Sequence, residues 1–381
     1  MPSMLRRDVI RSLGALGAAH SLTQQGSVAA AAPASIARMR ITKYEVMPTS
    51  VPFAERLRDA WIESYKLQGR FQTHYDPVFI RVHTDEGVTG IGEALMGAAQ
   101  AEATLKRMVG QTPWEFLHDD RIGGVLMAMY DLLGKAMDLP ASRLMAPSPS
   151  SRIFHTYWTH CLPPALMASE AKLAASLGYR VHKVKARPWQ DPIEQAAAIC
   201  EAVPIDYRVW ADANASWSSP SRALFFIKKL AEFHNYFAVE SPIEYRSVQG
   251  FRALKGNSPL MLAEHMGPEP MVFIHEGLVQ AFVIGGPVGK TLTQRALMAQ
   301  VTGIPLWIEY GIQSGLSQMF QAHHAAAYPG IQYTISVSHC LEDDFMMESL
   351  QMDNGYLNLP QKPGLGITLD ENAVEKYRVR A

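Results

Sequence analysis

The sequence predicts an α/β protein, a modified TIM-like (β/α) barrel preceded by an N-terminal α+β capping domain, and three observations carry that prediction. From Ser151 onward, eight short apolar segments alternate with stretches that mostly show helical periodicity, the pattern of a parallel barrel. Residues 38–147 have another texture, in which strand-like runs joined by a tight turn precede one long apolar helix. The rival arrangement, an open doubly wound sheet, needs a Gly-rich phosphate turn after its first strand, and the segment there reads "THCLPP".

In chain order, residues 1–34 come first. Arg6 and Arg7 precede a weakly apolar stretch rich in Gly and Ala, and "SVAAAAPA" supplies small residues suited to cleavage. This segment resembles a twin-arginine export signal, which implies a periplasmic protein. The usual aromatic after the arginines is missing, so a basic tail on a cytoplasmic protein is the alternative. Either way the segment is left out of the fold.

In the cap, residues 38–147, "ITKYEVMPTSV", "DPVFIRVHTDEG" and "VTGIGEAL" read as strands, with Asp85-Glu86-Gly87 as the hairpin turn between the last two. "VLMAMYDLLGKAMDL" reads as a helix ended by Pro140. The polar and aromatic run "FAERLRDAWIESYKLQGRFQTHY" shows no firm period and is the candidate lid, with Arg56, Arg58, Tyr65 and Arg70 as possible contacts to a polyhydroxy acid. The barrel is placed at residues 151–360, with strands at "IFHTYWT", "RVHKVKA", "RVWADAN", "YFAVES", "PLMLAEH", "VQAFVIG", "IPLWIEY" and "QYTISVS". Residues 361–381 are expected to return and pack on the cap.

Composition narrows the function. The chain has 381 residues, 48% hydrophobic and 19% charged, enough for a sizeable core. A net charge of -1 gives no footprint for nucleic acid, and no run of 18 apolar residues predicts a membrane span. Cys161, Cys200 and Cys340 have no metal spacing and are expected as buried thiols. The expected partner is a small carboxylate, and the chain is expected to form a homo-oligomer.

In a barrel of this kind the C-terminal strand ends carry the site. Strand two ends with Lys183 and Lys185, which point the same way because side chains alternate. Two buried lysines require anions. Strands three, four and five supply them with Asp212, Glu240 and Glu264, at intervals of 240 − 212 = 28 and 264 − 240 = 24 residues, about one βα unit each. Three converging carboxylates repel one another unless a hard divalent cation lies among them, and an all-oxygen set suits one Mg²⁺ per chain.

The motifs "TDEGVTGIGEA", "MAMYDLLGKAMDLP", "KVK", "DAN", "ESP" and "PGLGITLD" together resemble the enolase superfamily, in its mandelate racemase and muconate lactonizing branch. The resemblance implies removal of the proton α to a metal-held carboxylate, with Lys185 as base and Lys183 hydrogen-bonded to the substrate carboxylate. It also exposes two departures: Gln280 stands where the branch has a Lys or Asp, and Glu309 where the racemase has a His. A two-base racemisation loses its usual machinery, whereas β-elimination needs one base and one acid. The expected reaction is therefore dehydration or ring opening of a sugar acid, with racemisation or a non-catalytic acid-binding protein as alternatives. Glu309 is the candidate second acid, with Tyr310, His265 and His339 as others near strand ends, and Asn214, Gln280, His265 and Tyr310 are the candidate substrate contacts.

Overall fold

A computed structural model describes residues 34–285 and 288–380. The stretch read as an export signal lies outside the described residues, apart from Ala34 at the start of the helix Ala34–Arg38. These described residues form one compact unit.

The cap begins with a three-stranded antiparallel sheet of Ile41–Pro48, Val78–Thr84 and Thr89–Glu93. Its hairpin turns at Asp85-Glu86-Gly87, where Gly87 takes φ 74. The apolar helix Val125–Met137 lies on this sheet and is buried along its first ten residues. The contact is close enough that a Cβ on Gly90 would meet the Ala128 carbonyl at 2.2 Å, which explains the glycines of "TGIGE". Asp131, buried within that helix, accepts from the backbone N–H groups of Ile91 and Leu365 and from Lys135. One carboxylate thereby joins the cap sheet, its helix and the "PGLG" segment. The chain's end adds a bridge between Thr49 and Arg378 and an ion pair between Arg81 and Glu371.

The run 53–75 is more regular than its sequence suggests. Residues Glu55–Leu67 form a helix that buries Leu57, Trp61, Ser64 and Tyr65, a spacing of four, three and one. That period was hidden because a buried serine interrupts the apolar stripe.

The barrel strands are Arg152–Thr159, Val181–Lys185, Arg208–Asp212, Tyr236–Glu240, Met261–His265, Ala281–Ile284, Leu306–Ile308 and Ile331–Ser336. Each is parallel to the next, and the eighth pairs with the first through Thr334 and His155, so the barrel is closed. Helix starts follow local chemistry. Asp191 and Ser219 cap helices whose first residue is proline, and Ser247 caps a third. Inside the barrel, Trp210, Trp307 and Tyr333 pack with centroids 4.7 to 5.6 Å apart and form the floor beneath the strand ends. Cys161 and Cys340 are buried thiols, while Cys200 is only half-buried. Among the described residues, no helix is long and apolar enough to cross a membrane.

Candidate active site

Strand two places Lys183 and Lys185 on the interior of the barrel, where both are buried. Its register sets Lys185 beside Asp212, and the next pairing sets Asp212 beside Glu240. Lys185 Nζ donates to Asp212 Oδ2 at 2.5 Å and lies 5.9 Å from the Trp158 ring centroid. Lys183 Nζ reaches Glu240 at 2.8 Å and Asp212 at 3.1 Å, and also contacts Glu309 from strand seven. One ammonium thus stands among three carboxylates. Trp210 Nε1 donates to Glu240 Oε2 at 3.0 Å, so the barrel floor also holds the acid in place.

Electrostatics follows from this packing. Burial pushes Lys185 down to about 8, with Lys183 and Arg187 acting in the same direction against Asp212 and Glu240. Burial alone would raise Asp212, but Lys183 and Lys185 outweigh it and hold that carboxyl far below the usual range. Glu240 is also lowered, because Lys183 and His265 outweigh burial and the neighbouring Asp212. Glu264 behaves differently. Burial pushes it up to about 7, against hydrogen bonds from the His265 N–H at 2.6 Å and Ser241 Oγ at 3.1 Å, and its Oε2 is buried without a partner.

That orphaned oxygen, beside two ionised carboxylates on adjacent strands, suits a hard cation. The described residues also bring together a different potential ligand group. Glu240, His265 and Glu309 each offer an atom within 4.8 Å of the others. Asp212 is drawn toward the lysines, and Glu264 toward Ser241, so the acids of strands three to five converge less closely than their spacing implies. Glu240 is common to both sets.

The remaining expected contacts divide. Asn214 follows strand three in the left-handed region, donates its N–H to Asp212 Oδ1, and bonds Arg187 and Tyr245 through its side chain. His265 Nε2 lies 3.4 Å from Glu240 and 3.8 Å from Glu309. Tyr310 is buried and held above its ordinary pKa by that burial. It lines, with Glu309 and Glu93, a cavity of about 620 Å³ between cap and barrel. A second cavity, about 460 Å³, shares Glu309 with the first and includes Asn214 and His265.

Gln280 is not at the site. It precedes strand six, at the N-terminal end of the barrel, where its side chain accepts from the Leu262 N–H at 2.9 Å. Counting from the glycine pair mistook the strand's entrance for its exit, and Gly285 is the residue that follows strand six at the mouth. His339 is likewise committed elsewhere, stacked on Tyr157 at 3.9 Å and bonded to the Trp158 carbonyl. Two of the lid arginines are occupied as well. Arg56 pairs with buried Glu170, and Arg58 with Glu342. Tyr65 is buried against His160.

Reading by residue type passed over Arg187. It bonds Gln68, just beyond the lid helix, at 2.8 Å and Asn214 at 2.6 Å. The signal was present, since Lys183, Lys185 and Arg187 continue one alternating face.

The model of the Enolase C-terminal domain-like family matches residues 166–373. The chain belongs to the enolase superfamily. It falls in the mandelate racemase and muconate lactonizing branch and is an enzyme of that superfamily. The D-xylonate dehydratase of Haloferax volcanii is 26% identical over 368 residues, covering 80% of this chain and 86% of that protein. The arabinonate dehydratase of Saccharolobus solfataricus is 24% identical, with 84% and 95% covered. In structure, this superfamily member resembles the N-succinyl Arg/Lys racemase of Bacillus cereus, with a TM-score of 0.73 at 20% identity over 90% of this chain and 98% of that one. Muconate lactonizing enzyme from Pseudomonas fluorescens gives 0.72 at 19%, over 90% and 100%.

Proposed function

We propose that this enzyme is a Mg²⁺-dependent dehydratase of sugar acids or related hydroxy acids, and that Lys185 is its base. The observation that carries the reading is the buried Lys183 and Lys185 strand facing Asp212 and Glu240, with Glu309 reaching the same ammonium from across the barrel. The dehydratase names of two relatives support the substrate class.

Asp212, Glu240 and Glu264 would hold the ion, one per chain. A divalent cation there would polarise the substrate carboxylate and offset the charge that develops when the α-proton leaves. Since Lys183 already contacts Asp212 and Glu240, it and the cation compete for the same oxygens. Glu240, His265 and Glu309 are the second possible set, favoured by their proximity.

The residues then divide the reaction. Lys185 in its neutral form takes the α-proton onto Nζ, while Lys183 donates to the substrate carboxylate. Glu309 relays a proton from the Lys183 ammonium in contact with it to the departing β-hydroxyl, which leaves as water. The enol that remains tautomerises to a 2-keto acid, so hydrogen and oxygen balance.

The test is to incubate the purified enzyme with a panel of acid sugars and Mg²⁺ and assay keto acid. A 2-keto product from at least one is expected. Interconversion of stereoisomers without keto acid or ring-opened product would refute elimination.

Export is a separate proposal resting on Arg6 and Arg7. Replacing both by Lys should leave the chain in the cytoplasm, and an exported chain that still begins at Met1 would contradict it. A homo-oligomer is also proposed, and a single-chain mass in light scattering would contradict it.

A further inference from the structure

We infer that the smaller cavity contains a second anion subsite, formed by Arg246 and Arg295, which takes a carboxylate or phosphate at the far end of the hydroxy acid substrate. The inference rests on the dehydratase reading for where the first carboxylate lies, and it goes further by assigning the substrate a second negative charge.

Three observations support it. Both arginines line the cavity of about 460 Å³ whose wall also holds His265 and Glu309, two residues of the acid cluster. A molecule with one end at that cluster can therefore face the guanidinium groups with the other. The volume falls within the range of small-molecule sites.

Neither arginine has an acidic partner among the described residues. Arg295 donates to the Met266 carbonyl, and the described residues include no ion pair to Arg246 or Arg295. Burial lowers Arg295, and the neighbouring Arg246 lowers it further. Like charges gathered without a counter-ion are unfavourable until an anion arrives, and paired guanidinium groups suit a bidentate oxyanion. Glu309, the acid on the same cavity wall, is already in contact with Lys183.

The loops are also shaped for the arrangement. Arg246 sits in the left-handed region with φ 60, and its stem lies over Gly267, where a Cβ would meet Arg246 Cδ at 2.7 Å. Gly267 thus leaves room for the arginine at the cavity rim, and the Met266 carbonyl orients Arg295 from the same loop.

Unreactive probes separate this inference from the catalytic one. Calorimetry on the full-length enzyme with Mg²⁺ should show adipate binding about tenfold or more tightly than hexanoate, the effect of one charge-assisted contact pair. A phosphonate-terminated hexanoate tells the two anion sources apart, since the tighter of the two doubly charged probes identifies the group received. Arg246→Met should remove part of the preference, and the double variant with Arg295→Met should bring adipate to the hexanoate level. Equal or undetectable binding of the two acids by the native enzyme, or an undiminished preference in a folded Arg246→Met protein, would overturn the subsite. A retained preference in an enzyme that forms no keto acid would instead refute only the dehydratase reading.

Discussion

The two sides of the barrel mouth are built differently. On strands two to four, Lys183, Lys185, Asp212 and Glu240 are all buried and each charge has a partner. Around strands five to seven, Glu309 lines two cavities, and the neighbouring groups include arginines without an acidic partner among the described residues and the orphaned Glu264 oxygen. Fixed charges in a low-dielectric interior must be paired when the protein folds, because an unpaired buried ion costs several kcal/mol. Groups facing a cavity can wait for substrate. The paired side is therefore suited to the chemistry common to many substrates, and the open side to telling substrates apart.

The largest expected effect tests the paired side. Lys185→Ala should lower kcat by about 10⁴-fold, the upper range for a general base, while the fold persists. Steady-state kinetics checks this. Glu240→Gln strikes the same side differently. It strips a charge from the Lys183 cluster, so stability should fall by about 3 kcal/mol in urea titration and Mg²⁺ should no longer raise the melting temperature. On the open side, Glu309→Gln should reduce keto acid formation by about 10²-fold if it protonates the leaving group. An unchanged rate would return that role to another group.

Acid sensitivity just below neutral pH should come from buried histidines. His155 and His182 are pushed down to about 3, and His323 and His324 to about 4, by burial in each case. An unfolded histidine titrates near 6.5, so below that pH the unfolded state binds more protons than the native one. These residues leave stability intact above about 6.5 and erode it as pH falls toward their folded values, by up to about 1.4 kcal/mol per pH unit for each. The urea midpoint should therefore be lower at pH 5.5 than at 7.5, and an unchanged midpoint would contradict the neutral burial. The smallest effect concerns the lid. Arg56→Ala removes a half-exposed partner of buried Glu170 and should cost about 1–2 kcal/mol, measured by the same titration.

The contrast also explains what was legible in the sequence. Lys183, Lys185, Asp212, Glu240 and Glu264 follow from period-two alternation and regular βα spacing, which are properties of strands. All eight barrel strands could be placed for the same reason. Gln280 failed because it was placed by its distance from the glycine pair, although it precedes strand six and so lies at the end of the barrel away from the mouth. The lid helix was hidden by Ser64, whose hydroxyl is paired with His160 at 2.5 Å and is buried for that reason, not for hydrophobicity. Arg246 and Arg295 lie on different loops and helices, and only the closed barrel brings them to one cavity.

Solvent exchange at the substrate's α-carbon tests the division of labour most directly. In deuterated buffer with Mg²⁺, proton NMR should show three behaviours for a turned-over acid sugar. The native enzyme should form keto acid. Glu309→Gln should exchange the α-proton for deuterium yet yield little keto acid, and Lys185→Ala should do neither. Exchange at the native rate in Lys185→Ala would show that the proton leaves by another base and would contradict the account.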